Sequence, residues 1–253
     1  WNLDKLFNPD RIWNITRNRE NPFFYLLKGE VAQSNGRKQD ASRLFMMGDY
    51  FEYHVNTNQP EMVPVLLAAI EAGNGFASFW LGNFYYHSLR PQEAKVAWDI
   101  ANIKHPGNPQ IIRNLAVYEE FQMRDLNKSC ELLRKALKLN PLDVFMRQEV
   151  IAAEKDKVAN PEDILKIYLD APKEQRDSYL YLNGLLQAFK DAGKWKAASE
   201  YLLTVDRRWS DDVKSWYGFC IDYADYLIDQ SQPKEALEWI SKSSPTPPNL
   251  SNI

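Results

Sequence analysis

The chain has 253 residues, of which 45% are hydrophobic and 26% are charged, and its formal net charge is −3. With a mean hydropathy of −0.51, this composition is typical of a soluble globular protein and excludes a disordered one. The 31 basic residues do not exceed the 34 acidic ones, so nucleic acid is not an expected partner. The longest apolar run, Met62 to Ile70, contains Pro64 and has about half of the roughly 18 residues that a membrane helix needs, so no membrane insertion is expected.

The N-terminal part of the chain divides into a cap and the start of a helical domain. Residues 1–20 show no clear helical period and are expected to be a cap segment, whereas residues 21–242 are expected to form one helical repeat domain. Pro60 to Ala72 predicts an apolar helix. An earlier hairpin is outlined by small and aromatic residues: Tyr25, Gly29, Gly36, Ala41 and Phe45.

The clearest repeat unit runs from Gly75 to Asn108. Its small residues, Gly82 and Ala94, are expected where two helices cross closely, and Pro106 ends the second helix. Large residues fill the wedge around that crossing. The full set of matching positions is Leu81, Gly82, Tyr85, Ala94, Trp98, Ala101 and Pro106. This pattern predicts a helix–turn–helix hairpin.

Two further units follow with the same order of small and large residues. The first ends at Pro141, and its one extra residue predicts a lengthened turn at Arg124. The next unit, Leu142 to Ala171, is degenerate, but Asn160 and Pro161 are typical of a helix N-cap followed by a proline in the first turn. Both units therefore predict hairpins.

The last two units lie between Tyr179 and residue 242. The fourth turns at Gly193, and the fifth turns at Pro233 with Ile240 expected on its packing face. Residues 243–253 contain three prolines and predict a trailing arm. The proposed crossing residues of the five units are separated by 34 to 38 residues: Ala94, Ser129, Ile164, Ala198 and Ala236.

The signature positions of the unit from Gly75 to Asn108 resemble those of the tetratricopeptide repeat family. The resemblance implies an all-α, tetratricopeptide-like α-solenoid of about six helical hairpins in a right-handed superhelix, a fold that usually mediates protein assembly. The alternative is an all-α bundle without superhelical order.

No catalytic or metal-binding pattern stands out. The histidines have no Ser, Cys or Asp partner at a catalytic spacing, and His105 is expected to favour the dipole at a helix C-terminus. Cys130 and Cys220 are expected to be buried free thiols. We therefore expect a non-catalytic protein with no cofactor and no metal, and the cysteine usage favours the cytoplasm slightly over the periplasm.

Candidate partner-binding residues follow from the expected solenoid, in which the first helices of successive hairpins line a concave groove. A protein or peptide partner would contact their aromatic, amide and basic side chains. The candidates are Phe79, Asn83, Tyr86, His87, Arg113, Asn114, Val117, Phe121, Asn183, Gln187 and Lys190.

Some tetratricopeptide domains grip acidic chaperone C-termini with a carboxylate clamp of basic and Asn residues. Asn83 and Asn114 match the two Asn positions, but Phe79, Phe145 and Glu149 stand where the clamp carries Lys or Arg. The clamp is therefore absent from the sequence.

Residues 58–253 also resemble the C-terminal repeat region of bacterial proteins that begin with an aldose-epimerase-like β-sandwich domain of unknown function. The resemblance is carried by residues 79–86, 113–116, 178–182 and 193–195. It implies that the chain is part of a larger, carbohydrate-associated protein with a neighbouring β-sandwich domain. In this alternative function, Phe79, Tyr86 and Phe121 would stack on a sugar or pack against that domain.

Overall fold

The computed structural model describes residues 21–50, 59–157, 160–176, 179–204 and 213–243. Every regular element within these ranges is a helix. The chain divides into two compact units, with the boundary between Asn140 and Pro141. The predicted cap (1–20), His54 and residues 244–253 of the predicted arm lie outside the described residues.

Unit 1 consists of helical hairpins and one additional helix. Helices α1 and α2, α4 and α5, and α6 and α7 pack in pairs, and α3 packs against α1 and α4. The helices are α1 (Pro22–Ser34), α2 (Lys38–Met47), α3 (Met62–Glu71), α4 (Gly75–His87), α5 (Pro91–Lys104), α6 (Pro109–Phe121) and α7 (Leu126–Leu139).

Unit 2 continues the pattern of hairpins. Helices α8 and α9, α11 and α12, and α13 and α14 pack in pairs, and the short helix α10 was not predicted. The helices are α8 (Val144–Asp156), α9 (Pro161–Leu169), α10 (Lys173–Arg176), α11 (Tyr179–Asp191), α12 (Trp195–Thr204), α13 (Val213–Asp229) and α14 (Pro233–Ser243). The described residues of the two units therefore contain six hairpins, as predicted.

Short polar caps and left-handed turn residues set the ends of these helices. The Asn74 side chain accepts from the backbone N–H of Ala77 at 2.7 Å and thereby starts α4. Arg124 adopts φ 57° in the predicted lengthened turn, and Gly193 adopts φ 67° between α11 and α12. Glycine adopts a positive φ without steric cost because it has no Cβ atom. The predicted turn at Gly193 is therefore confirmed.

The close helix crossing predicted in the clearest repeat is present between α4 and α5. A Cβ atom placed on Gly82 would lie 2.4 Å from Trp98 Cδ1 and 3.0 Å from the carbonyl oxygen of Ala94. Ala94 is fully buried, and Trp98 is 2% exposed. A side chain at position 82 would therefore prevent the two helices from approaching this closely.

His105, at the C-terminal end of α5, is held by two neighbours. Its Nε2 lies 3.0 Å from Asp49 Oδ1, and its ring stacks on Phe76 with the centroids 4.0 Å apart. The same carboxylate oxygen accepts from the backbone N–H groups of Gly75 and Phe76. His105 therefore has a structural role, as expected, but its partner is a carboxylate that the sequence did not reveal.

In unit 2, two buried side chains donate to backbone carbonyls, two of which lie at the end of α9. Arg147, 3% exposed, donates to the carbonyl oxygens of Pro141 at 2.7 Å and Ile167 at 3.2 Å. The Tyr181 hydroxyl donates to the carbonyl of Tyr168 at 3.1 Å. The last carbonyls of a helix have no partner inside the helix, so these contacts fasten α9 to α8 and α11.

The packing face of the last hairpin differs from the prediction. Ile240 is 47% exposed, whereas its neighbour Trp239 is 8% exposed. The Trp239 indole donates to the carbonyl of Cys220 at 3.3 Å and its ring meets Tyr223 edge-on. The larger side chain therefore takes the inner position, and the prediction for Ile240 was wrong. Cys130 and Cys220 are both buried, as predicted.

Candidate partner-binding surfaces

In unit 1, a chain of hydrogen bonds connects the first helices of two neighbouring hairpins. Asn114 on α6 donates through Nδ2 to Asn83 Oδ1 on α4 at 2.7 Å, and the Trp98 indole on α5 donates to the same oxygen at 3.0 Å. Arg113 donates to Asn114 Oδ1 at 3.3 Å. These bonds fix how α4, α5 and α6 lie against one another, because their donors and acceptors are directional.

Two of the predicted groove residues in unit 1 lie in the interior. Phe79 is 6% exposed within the hydrophobic core, and Asn114 is 8% exposed with its amide engaged by Asn83 and Arg113. The repeat register placed both residues on the correct helices but did not show how closely the neighbouring helices cover them. Phe79 and Asn114 therefore support the surface from the interior of unit 1. The expectation that they contact a partner directly is corrected.

The remaining predicted residues of unit 1 are accessible to different degrees. Tyr86 is half-buried and its ring lies 5.4 Å from that of Trp98. The pKa of the Tyr86 phenol is raised, mainly because the side chain is partly buried. The charge of Arg113 lowers this pKa and the charge of Glu120 raises it, both by less than burial does. Arg113 and Val117 are half-buried, His87 is exposed at the end of α4, and Phe121 is 51% exposed at the end of α6. Tyr86, Val117 and Phe121 thus offer the apolar part of this surface.

In unit 2, the predicted residues of α11 meet at one pocket. Asn183, Gln187 and Lys190 all line a pocket of about 290 Å³ between α11 and α13. These three side chains therefore lie on one face of α11. The other lining residues are Leu186 on α11 and Gly218, Phe219 and Asp222 on α13.

An ion pair crosses this pocket. Lys190 Nζ contacts Asp222 Oδ2, with 23% of the lysine side chain and 45% of the aspartate side chain exposed. The same ammonium lies 5.7 Å from the centroid of the Trp195 ring. Trp195 in turn stacks on Tyr226 at 5.0 Å and lies against Phe219 at 6.2 Å. The ion pair and these rings join α11 and the start of α12 to α13.

The α13 side of the pocket was missed by the sequence analysis. Gly218, Phe219 and Asp222 lie on the first helix of the last hairpin, where a groove residue would be expected. No groove positions were assigned to this hairpin, and the 38-residue offset between Ala198 and Ala236 carries the three α11 positions to Ile221, Asp225 and Ile228 rather than to Asp222.

The described residues show neither a metal site nor a membrane helix. Within the described ranges, no group of three or more His, Cys, Asp or Glu side chains could hold a metal ion. A search of the same ranges finds no helix with the length and apolarity needed to cross a bilayer.

Comparison with known proteins assigns no family to the chain. No family model matches it, and no curated protein matches it. Among solved structures, the chain is similar to one from a functional characterization of Pseudomonas aeruginosa PilF. The two share 13% identity and a TM-score of 0.48, and the alignment covers 88% of this chain and 91% of that one. It is also similar to a human IFIT1 dimer with PPP-AAAA, at 15% identity and a TM-score of 0.37, covering 85% of this chain and 52% of that one.

These likenesses have TM-scores below 0.5 and carry no inference about this chain. The hairpins themselves define the class of protein. The small residues at the crossing of α4 and α5, the repeat spacing and the succession of paired helices make this an all-α helical-repeat protein with a tetratricopeptide-like fold.

Proposed function

We propose that this protein is a non-catalytic scaffold that binds a segment of a partner protein on the first helices of its hairpins. The observation that carries the proposal is the pocket between α11 and α13. Three residues selected as partner contacts from the repeat register, Asn183, Gln187 and Lys190, line that one pocket.

The unit 1 surface supports the same function. The Asn83–Asn114 bond holds α4 and α6 in a fixed arrangement, and Phe121 projects from the end of α6 with half of its surface exposed. A surface whose supporting side chains are already ordered loses less entropy when a partner binds. Phe121 then provides an aromatic contact of the kind that is enriched in protein interfaces.

The chemistry of the unit 2 pocket supports binding rather than catalysis. Its two charged groups, Lys190 and Asp222, neutralise each other, and its remaining lining residues are amides, Gly218 and apolar side chains. A catalytic nucleophile needs an adjacent base, and that base needs an orienting group. The described residues that line the pocket contain neither arrangement.

The alternative carbohydrate-associated function receives less support from the packing. It relied on Phe79, Tyr86 and Phe121 as a stacking platform for a sugar. Phe79 is 6% exposed, and Tyr86 is half-buried against Trp98. Of the three, only Phe121 is more than half exposed, so we favour the protein-binding function.

Photo-crosslinking tests the proposed function. A photoreactive phenylalanine analogue replaces Gln187 in the pocket, and the control variant carries it at Glu200, which is exposed on α12. In cells of the source organism, we expect a discrete protein adduct from position 187 that is absent from position 200. Equal adducts from both positions, or adducts from position 200 alone, would refute binding at the first helices.

A further inference from the structure

The described residues that line the unit 2 pocket carry no net charge. Among them are one cation, Lys190, and one anion, Asp222, and these two are in direct contact. A free C-terminal carboxylate that approaches Lys190 would also approach the Asp222 carboxylate, and repulsion from that anion opposes the attraction of the ammonium. The pocket is therefore suited to an uncharged group.

The two amide side chains of the pocket match the spacing of an extended polypeptide. Asn183 and Gln187 lie four residues apart, on the same face of α11, which separates them by about 6 Å along the helix axis. Peptide groups that face the same side of an extended chain repeat about every 6.6 Å. Both side chains are exposed, and each amide carries a donor and an acceptor. They can therefore pair with two successive peptide groups on one edge of such a chain.

The amide of Gln187 is already oriented by its own helix. Its Nε2 donates to Asp191 Oδ1 at 2.7 Å. This bond fixes the side chain along α11 and directs the carbonyl oxygen of the amide away from Asp191. An acceptor held in this way favours a partner that presents a backbone N–H group.

Gly218 provides room for one side chain of the partner. A Cβ atom at position 218 would meet nothing within 4 Å, so the packing of the described residues does not require glycine there. Glycine inside a helix is destabilising by about 0.5–1 kcal/mol relative to alanine. Leu186 and Phe219, each 3% exposed, form an apolar base beside it. The volume of about 290 Å³ is at the lower limit of ligand pockets, about 300 Å³, which suits a short peptide stretch.

We propose that the pocket between α11 and α13 binds an internal, extended segment of a partner polypeptide, with an uncharged side chain over Gly218, and does not select a free C-terminal carboxylate. The inference rests on the proposed function and specifies its ligand. The side chain of the segment fills the space over Gly218, while the backbone of the segment pairs with Asn183 and Gln187.

Two phage-displayed libraries of random 16-residue peptides test the inference. In one library the peptide is followed by coat protein, so it has no free C-terminus; in the other it ends in a free carboxylate. Selected peptides are synthesised and titrated calorimetrically against the full chain and two variants. Gly218→Leu fills the pocket, and Gly107→Leu is the matched control, because Gly107 also has open space around its Cβ position but lies outside the pocket.

We expect binders from the first library whose dissociation constants rise at least tenfold with Gly218→Leu and stay unchanged with Gly107→Leu. Amidation of their C-termini should not alter the affinity. A requirement for a free carboxylate, or equal binding to Gly218→Leu, would overturn the inference while leaving the scaffold function in place. Failure of both libraries to yield any binder would also overturn it, and the crosslinks from position 187 would then decide the scaffold function independently.

Discussion

Replacing Gly82 with alanine adds a single methyl group at the place where α4 and α5 approach most closely. The new Cβ would lie 2.4 Å from Trp98 Cδ1, 2.5 Å from Trp98 Nε1 and 3.0 Å from the carbonyl oxygen of Ala94. Trp98 is 2% exposed and donates to Asn83, so its ring has little freedom to move aside. The added methyl therefore forces the two helices apart or breaks the bond to Asn83.

Two opposing effects determine how much Gly82→Ala changes the free energy of unfolding. Overpacking of a well-packed site costs about 1–3 kcal/mol, whereas alanine stabilises a helix by about 0.5–1 kcal/mol relative to glycine. Because the obstruction consists of a fixed ring and a backbone atom, we expect the steric term to lie in the upper half of its range. The free energy of unfolding should then fall by about 1–2.5 kcal/mol.

Urea unfolding combined with hydrogen exchange resolved along the chain measures this effect. Gly218→Ala is the matched control, because it makes the same change in a helix where the new Cβ meets nothing within 4 Å, and it should stabilise its helix by about 0.5–1 kcal/mol. The predicted result is opposite signs, with faster exchange in α4 and α5 for Gly82→Ala. A neutral or stabilising Gly82→Ala would mean that the described crossing is incorrect.

Asp49→Ala removes the oxygen that accepts from the first two backbone amides of α4 and contacts His105. We expect the free energy of unfolding to fall by about 1–2 kcal/mol and hydrogen exchange to become faster at the start of α4. Unchanged exchange at the start of α4 would contradict the role of Asp49 as a cap. Arg147→Ala removes two hydrogen bonds from a buried charged donor to the carbonyls of Pro141 and Ile167. Because hydrogen bonds to charged groups contribute about 1.5–3 kcal/mol, unit 2 should lose about 2–3 kcal/mol in urea unfolding; a loss below 0.5 kcal/mol, about what surface substitutions give, would refute these contacts. Burial raises the pKa of Tyr181 well above its usual value, so the unfolded chain releases this proton first and stability falls as the pH rises above about 10. In Tyr181→Phe, the urea midpoint should fall less steeply as the pH rises above about 10. An equally steep fall in the variant would show that groups other than Tyr181 cause it.

Local signals predicted the hairpins because they act within a few residues. Asn160 followed by Pro161 starts α9 as expected, with the Asn160 side chain accepting from the N–H of Glu162. Arg124 marks the lengthened turn before α7 through its positive φ. Such caps and turns depend on the sequence beside them, so they can be read without knowledge of the rest of the chain.

Surface exposure was predicted less well because it depends on distant residues. Phe79 and Asn83 lie on the same helix at similar register positions, yet Phe79 is covered by the core while Asn83 is half-buried. Asp222 meets Lys190 across 32 residues of sequence. Contacts of this kind are fixed by how neighbouring helices pack, and a repeat period alone does not determine them.

Hydrogen exchange of the complex with the crosslinked partner tests the central claim most directly. Binding at the first helices predicts slower exchange over Tyr179–Asp191 and Val213–Asp229, with little change over the second helices, Trp195–Thr204 and Pro233–Ser243. Slower exchange confined to the second helices would contradict the account, because it would place the partner on the opposite side of the hairpins.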